Sequence, residues 1–115
     1  MARTVSTPID EADITMTRTI SQLFDLKGKT ALITGGSRGL GLQMAHALGE
    51  AGARVLISSR KASDLEEATA ELQAAGIDAR WIAADGQSED ECRRLVDETL
   101  QRMGDIDILV NNAGA

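Results

Sequence analysis

The sequence predicts a doubly wound α/β fold, an open parallel sheet with helices on both faces and strand order 3-2-1-4, truncated after its fourth strand. Three observations carry this. Four short apolar runs alternate with three stretches of helical period. Each helical stretch runs out on a glycine, Gly52, Gly76 or Gly104. The densest glycine cluster, "TGGSRGLG" (Thr34–Gly41), stands where the first strand hands over to the first helix.

The elements follow in order. "TALIT" (Thr30–Thr34) is a short, continuously apolar run bounded by glycines, as a strand buried on both faces should be. In "GLQMAHALGEAGA", Leu40, Met44, Ala47, Leu48 and Ala51 recur at helical spacing and form the expected apolar face. "RVLISS" (Arg54–Ser59) is the second strand. "SDLEEATAELQAAG" opens on a capping box, Ser63 with Glu66, and carries the stripe Leu65, Ala68, Leu72 and Ala75. "ARWIAA" (Ala79–Ala84) is the third strand. A second capping box, Ser88 with Glu91, opens "SEDECRRLVDETLQRMG", whose stripe is Cys92, Leu95, Val96, Thr99 and Met103. "IDILV" (Ile106–Val110) is the fourth strand, followed by "NNAGA". Strands alternating with helices in this way build parallel βαβ units, whose right-handed crossovers leave a crevice beside strands 1 and 4. Residues 1–24 are polar, threonine-rich and without either period, and are expected to be a mobile tail; residues 25–115 are the expected domain.

Composition narrows the function classes. With 115 residues the chain suffices for one domain. A net charge of −6 argues against a broad nucleic-acid surface, though not against one phosphate held by local groups. No apolar run approaches the roughly 20 residues of a membrane span, and the amino terminus lacks the apolar centre of a secretory signal. Cys92 is the single cysteine, so no internal disulfide forms and a cytoplasmic address is expected. His46 lacks companions at metal-ligand spacing, so no metal site is expected; Cys92 and Trp81 read as packing residues, and the acidic clusters "DLEE" and "EDE" as compensation of helix dipoles.

The glycine cluster carries the chemistry. Behind such a strand the loop ends at a helix amino terminus, whose unpaired N–H groups and dipole favour an anion. Gly35, Gly39 and Gly41 let a pyrophosphate come close without Cβ atoms in the way, and let the helix pack near the strand; Gly36 is a spare. Ser37 adds a hydroxyl donor and Arg38 a permanent positive charge. The tripeptide "GKT" (Gly28–Thr30) is not a P-loop: Leu23 stands where that motif needs glycine, and the tripeptide precedes its strand.

"TGGSRGLG" resembles the TGxxxGxG motif of the short-chain dehydrogenase/reductase family, "NNAG" (Asn111–Gly114) that family's second fingerprint, and "AAD" (Ala83–Asp85) its third-strand aspartate. The likeness covers roughly Phe24 to Ala115. It implies a Rossmann-type cofactor-binding part in which Gly35, Ser37, Arg38, Gly39, Leu40 and Gly41 surround the cofactor's phosphates. By the same resemblance Asp85 and Gly86 meet the adenine, and Asn112, Ala113 and Gly114 line the ribose, with Asn111 bracing neighbouring strands. Gly86 departs from the family's usual aliphatic residue.

The end of strand 2 selects the cofactor. An acidic residue there binds a ribose 2′-hydroxyl, whereas arginine accommodates a 2′-phosphate. "ISSRK" (Ile57–Lys61) has no carboxylate, so Ser59 and Arg60, with Arg38 from the loop, are expected to hold NADP(H) ahead of NAD(H).

The resembled family interconverts carbonyls and alcohols by hydride transfer, with a Tyr-x-x-x-Lys pair managing the proton. This sequence contains no tyrosine, and Lys27, Lys29 and Lys61 all lie in its first half, so no catalytic residue is expected here. The expectation is a cofactor-binding fragment of a longer NADP(H)-dependent oxidoreductase acting on a small-molecule carbonyl or alcohol, with a lean toward 3-oxoacyl or sugar-acid substrates and toward a homo-oligomer, tetramer or dimer, with no nucleic-acid or membrane partner. A non-catalytic nucleotide-binding module is the alternative, and another nucleotide user such as a methyltransferase the third reading.

Overall fold

The computed structural model describes residues 25–112; the tail expected over residues 1–24, and the candidate site residues Ala113 and Gly114, lie outside the described residues. The described chain runs β1 (Thr30–Thr34), α1 (Gly39–Glu50), β2 (Arg54–Ser59), α2 (Ala62–Ala74), β3 (Ala79–Ala83), α3 (Glu89–Met103) and β4 (Ile108–Asn111). All pairings are parallel and the strand order is 3-2-1-4, as expected.

Two-residue periodicity divides the sheet between two cores. Ile33, Val55, Ile57 and Ala79 point to one side, where they pack with Ala45 of α1, Leu65, Ala68 and Leu72 of α2, and Ile77. Leu32, Leu56, Ile82 and the following Ala84 point to the other, against Leu95 and Met103 of α3. So α1 and α2 cover one face and α3 the opposite one. The reversal falls between β1 and β4, the two strands whose helices diverge, which is where folds of this kind bind their ligands. The amino-terminal pole of the sheet is tied shut instead. Arg54 donates to Thr30 Oγ1 at 2.7 Å and to the Met103 carbonyl at 2.6 Å, and Asp107 accepts the Thr30 N–H at 2.9 Å.

Several local expectations are corrected. The apolar face of α1 was expected on Leu40, Met44, Ala47, Leu48 and Ala51, yet Leu40 is 63% exposed and Ala47 is also exposed; the buried residues are Gly41 and Ala45. Small residues win because α1 packs closely on its neighbours: a Cβ on Gly49 would come within 2.5–2.8 Å of the side chain of Ile77, in the connection from α2 to β3. In α2 the Ser63 capping box does not form. The helix starts two residues earlier than that box requires, with Lys61 as N-cap and no side-chain cap, so Ser63 lies inside the first turn. Its buried face includes Thr69 in place of the exposed Ala75.

In α3, Ser88 does cap, accepting the Glu91 N–H at 3.3 Å, but the Glu91 side chain turns forward to Arg94, at 2.8 Å, not back to the cap. Val96 is 38% exposed, so the buried stripe is Leu95, Thr99 and Met103. β3 ends at Ala83, one residue early, although the Ala84 N–H still bonds the Ser59 carbonyl at 2.8 Å. β4 starts at Ile108, not Ile106, because Ile106 packs into the α3-side core before the strand begins.

Candidate functional site

The carboxyl ends of β1, β2 and β4 converge on one rim. There the glycine loop leaves β1 and is pulled over β2: the N–H groups of Gly35 and Gly36 both bond the Ser58 carbonyl, at 2.7 and 3.3 Å. On the other side Thr34, Asn111 and Asn112 sew β4 to β1. The Thr34 hydroxyl lies 3.1 Å from Asn111 Oδ1 and 3.3 Å from the Val110 carbonyl, to either of which it can donate. It also accepts the Asn112 N–H at 3.0 Å, while the Asn112 amide donates to the Gly35 carbonyl at 3.4 Å. Asn111 thus braces strands as the resemblance implied. Asn112 has a role the sequence did not reveal, since it holds the glycine loop itself. Thr34 opens the glycine motif, and its pairing with β4 is not visible along the chain.

The glycines divide their labour. Gly35 and Gly39 adopt φ of +66° and +58°, where side chains with a Cβ are strained, and a Cβ on Gly39 would meet nothing within 4 Å. Gly39 therefore faces open space. Gly41 does not: a Cβ there would sit 2.9 Å from Asn112 Nδ2 and closer still to the Gly35 carbonyl. Gly36, expected to be a spare, is buried, and its Cβ would lie 2.8 Å from Ile57 Cγ2. Gly36 and Gly41 thus let the loop and α1 pack, whereas Gly39 leaves room for something else.

Behind the loop, Arg38 is the N-cap of α1 in extended conformation (φ −163°), with no side-chain hydrogen bond to the helix and no acidic residue in the first turn. The positive end of α1 is thereby left uncompensated by any side chain. The contrast with α3 is direct, since there Ser88 caps and Glu89, Asp90 and Glu91 occupy the first turn. Arg38 is exposed, and no carboxylate among the described residues lies within 4.0 Å of it. It shares a groove of about 530 Å³ with Ser37, Leu42, Asp64, Glu67 and Glu71, between α1 and α2.

At the end of β2 the Ser59 hydroxyl is buried and lacks a hydrogen-bond partner among the described residues, a situation that ordinarily costs about 1–3 kcal/mol. The adjoining Arg60 is exposed. Asp85, half-buried after β3, accepts the Gln87 N–H on Oδ1 at 2.9 Å and so starts the turn into α3. In that turn the Gly86 carbonyl accepts the Cys92 thiol at 3.5 Å. Leu40 projects from the first turn of α1 with most of its surface exposed.

Other polar groups are internally matched. His46 Nε2 and Glu71 Oε2 approach to 2.6 Å and link α1 to α2. A larger concavity of about 630 Å³ follows the edge of β3, but its Arg94 is already engaged by Glu91, Glu98 and the Ala83 carbonyl. Hydrogen bonds that it donates to the Glu91 and Glu98 carboxylates hold the Arg94 guanidinium charged far above its ordinary range. The glycine-loop rim is therefore the better candidate. Among the described residues no three His, Cys, Asp or Glu side chains group to hold a metal, and no helix is long and apolar enough to cross a membrane.

A glycine loop on an uncompensated helix amino terminus, at the switch point of a parallel sheet of order 3-2-1-4, defines a Rossmann-type nucleotide-binding fold. The sequence model of the short chain dehydrogenase family matches residues 29–115, and the chain belongs to that family of oxidoreductases. It is 43% identical over 93 residues to the 2-dehydro-3-deoxy-D-gluconate 5-dehydrogenase of Formosa agariphila, covering 80% of this chain and 35% of that protein. It is 47% identical over 91 residues to the rhamnolipids biosynthesis 3-oxoacyl-[acyl-carrier-protein] reductase of Pseudomonas aeruginosa, covering 79% and 35%. Among solved structures, the RhlG/NADP active-site complex of Pseudomonas aeruginosa superposes with a TM-score of 0.75 at 46% identity, covering 80% of this chain and 37% of that one. The 2-keto-3-deoxy-D-gluconate dehydrogenase of Streptococcus agalactiae superposes at 0.79 with 37% identity, covering 86% and 37%. The chain thus spans about a third of the length of these relatives.

Proposed function

We propose that this chain is the NADP(H)-binding portion of an oxidoreductase that interconverts a carbonyl and an alcohol. The observation that carries the proposal is the uncompensated amino end of α1, with Gly39 open in front of it and Arg38 free beside it. In this reading the loop amides from Ser37 to Gly41 hold the pyrophosphate. Arg38 and Arg60 grip the 2′-phosphate, and Ser59 turns its unpartnered hydroxyl onto the same group. Asp85 and Gly86 border the adenine, and Asn112, Ala113 and Gly114 the ribose. Bound NADP(H) supplies or accepts the hydride. Supporting the choice of NADP(H) are the absence of a carboxylate from "SSRK" and the likeness to a protein solved with NADP.

The names of the relatives favour a sugar-acid or 3-oxoacyl substrate, and the family's chemistry a small molecule in the cytoplasm, handled by a homo-oligomer. With no tyrosine in the sequence, the chain by itself is expected to bind without turnover, which also keeps a purely nucleotide-binding module in play. Two measurements test this. Titration of Trp81 fluorescence should show NADPH binding at least tenfold tighter than NADH, with the difference abolished in Arg38→Ala or Arg60→Ala; equal affinities would overturn the cofactor assignment. Incubation with NADPH and a 3-oxoacyl thioester should give no oxidation of the cofactor, and turnover would refute the view that the chain lacks its proton donor.

A further inference from the structure

The groove that holds Arg38 is walled on its far side by carboxylates. Because α2 starts at Ala62 with Lys61 as N-cap, Asp64 occupies its first turn and Glu67 follows within a turn, and both line the groove together with Ser37 and Arg38. Glu71 lines it too, but its carboxylate is turned to His46, Oε2 lying 2.6 Å from Nε2. Asp64 and Glu67 have no ion-pair or hydrogen-bond partner among the described residues. Their negative charge therefore faces the same groove as Arg38.

We infer that Asp64 and Glu67 are specificity-determining residues that weaken the 2′-phosphate grip and so limit how strongly the chain prefers NADP(H) over NAD(H). The inference rests on the cofactor reading above. A 2′-phosphate carries close to two negative charges beside Arg38, and two unpaired carboxylates across the same groove repel it. NAD(H) has only a hydroxyl at that position and does not experience the repulsion. Two carboxylates acting across a solvated groove within about one Debye length change a dianion's affinity by roughly three- to tenfold at low salt. The arrangement is one of opposed elements: the glycine loop supplies attraction, and the first turns of α2 supply a counterweight.

The test is a pair of dissociation constants, for NADPH and NADH, on the 115-residue chain and its variants. Asp64→Asn with Glu67→Gln should tighten NADPH roughly three- to tenfold at low salt, leave NADH within about twofold, and lose most of the gain at roughly 0.5 M salt. Glu66→Gln, which neutralises the same helix outside the groove, should tighten NADPH less than either groove variant and leave NADH unchanged. Each single variant should give part of the gain, so a folding defect in one does not blind the test. Unchanged NADPH affinity in the double variant, or equal tightening of NADH, overturns the inference. If Arg38→Ala also leaves the NADPH-to-NADH ratio untouched, the cofactor reading has failed. If Arg38→Ala collapses the ratio while the carboxylate variants do nothing, only the carboxylate role is lost.

Discussion

Gly39 and Gly41 stand two positions apart in one motif and answer to different physics. Gly41 is squeezed between the Gly35 carbonyl and the Asn112 amide, so Gly41→Ala forces backbone to move. That substitution should cost at least about 2 kcal/mol of stability, the scale of overpacking, read by chemical denaturation. Gly39 has room for a Cβ but sits at φ +58°, so Gly39→Ala should cost only about 1–2 kcal/mol. Its effect on NADPH binding should be the larger one, a loss of more than tenfold, because the open space it leaves is the space proposed for pyrophosphate. Equal binding losses for variants matched in stability would show that Gly39 has no contact with the ligand. Glycine identity and spacing were legible along the chain; which glycine serves packing and which serves clearance depends on the Gly35 carbonyl and Asn112, 77 residues apart in sequence.

At the level of elements, α3 is the helix whose own sequence stabilises it most visibly. Ser88 caps it, three acids occupy its first turn, and Arg94 bridges Glu91 and Glu98 at 2.8 and 3.0 Å. The hydrogen bond from Arg94, reinforced by its charge, holds the Glu91 carboxyl below its ordinary value of 4.5. A carboxyl lowered in the folded state stabilises the fold above that value, and the contribution disappears as pH falls through the lowered one. Glu91→Gln should therefore lower the melting temperature at neutral pH, and the difference should shrink as the pH falls through the lowered value and the carboxyl takes up its proton. A pH-independent difference would mean the pair contributes through packing alone. Ser88→Ala should cost about 1 kcal/mol, and Leu95→Ala, which empties the α3-side core, about 2–4 kcal/mol. The cap at Ser88 was legible because nothing competes with it. The matching box at Ser63 failed because α2 begins at Ala62, drawn forward by Leu65 docking in the core.

Over the whole molecule, the sheet has two unlike margins. β3 shields its outer edge with its neighbours: Gln73 donates to the Ala79 carbonyl at 3.0 Å and Arg94 to the Ala83 carbonyl at 2.7 Å. β4 pairs only with β1 among the described residues, and its Leu109 is 61% exposed. An apolar strand with a free edge pairs readily with another chain. The chain should therefore self-associate with rising concentration, and Leu109→Lys should suppress this in sedimentation or light scattering without loss of helical signal. Persistent association in that variant would direct attention away from β4.

The sequence by itself determined the alternation of strands and helices and the position of the glycine loop, because those depend on local periodicity; right-handed crossovers narrowed the strand order to a few, and the resemblance to the family pointed to the one observed. β1 and β2 were legible to the residue, since runs buried on both faces end where glycine or charge begins. Only the tertiary structure decided which face of α1 is buried, where α2 starts, and what Thr34 and Asn112 do. Helix faces are chosen by the surface they meet, and on this sheet clearance for Gly41 and Gly49 outweighs the hydrophobicity of Leu40. The same docking carries Asp64 and Glu67 to the groove of Arg38, a juxtaposition of opposite charges that no spacing along the chain announces.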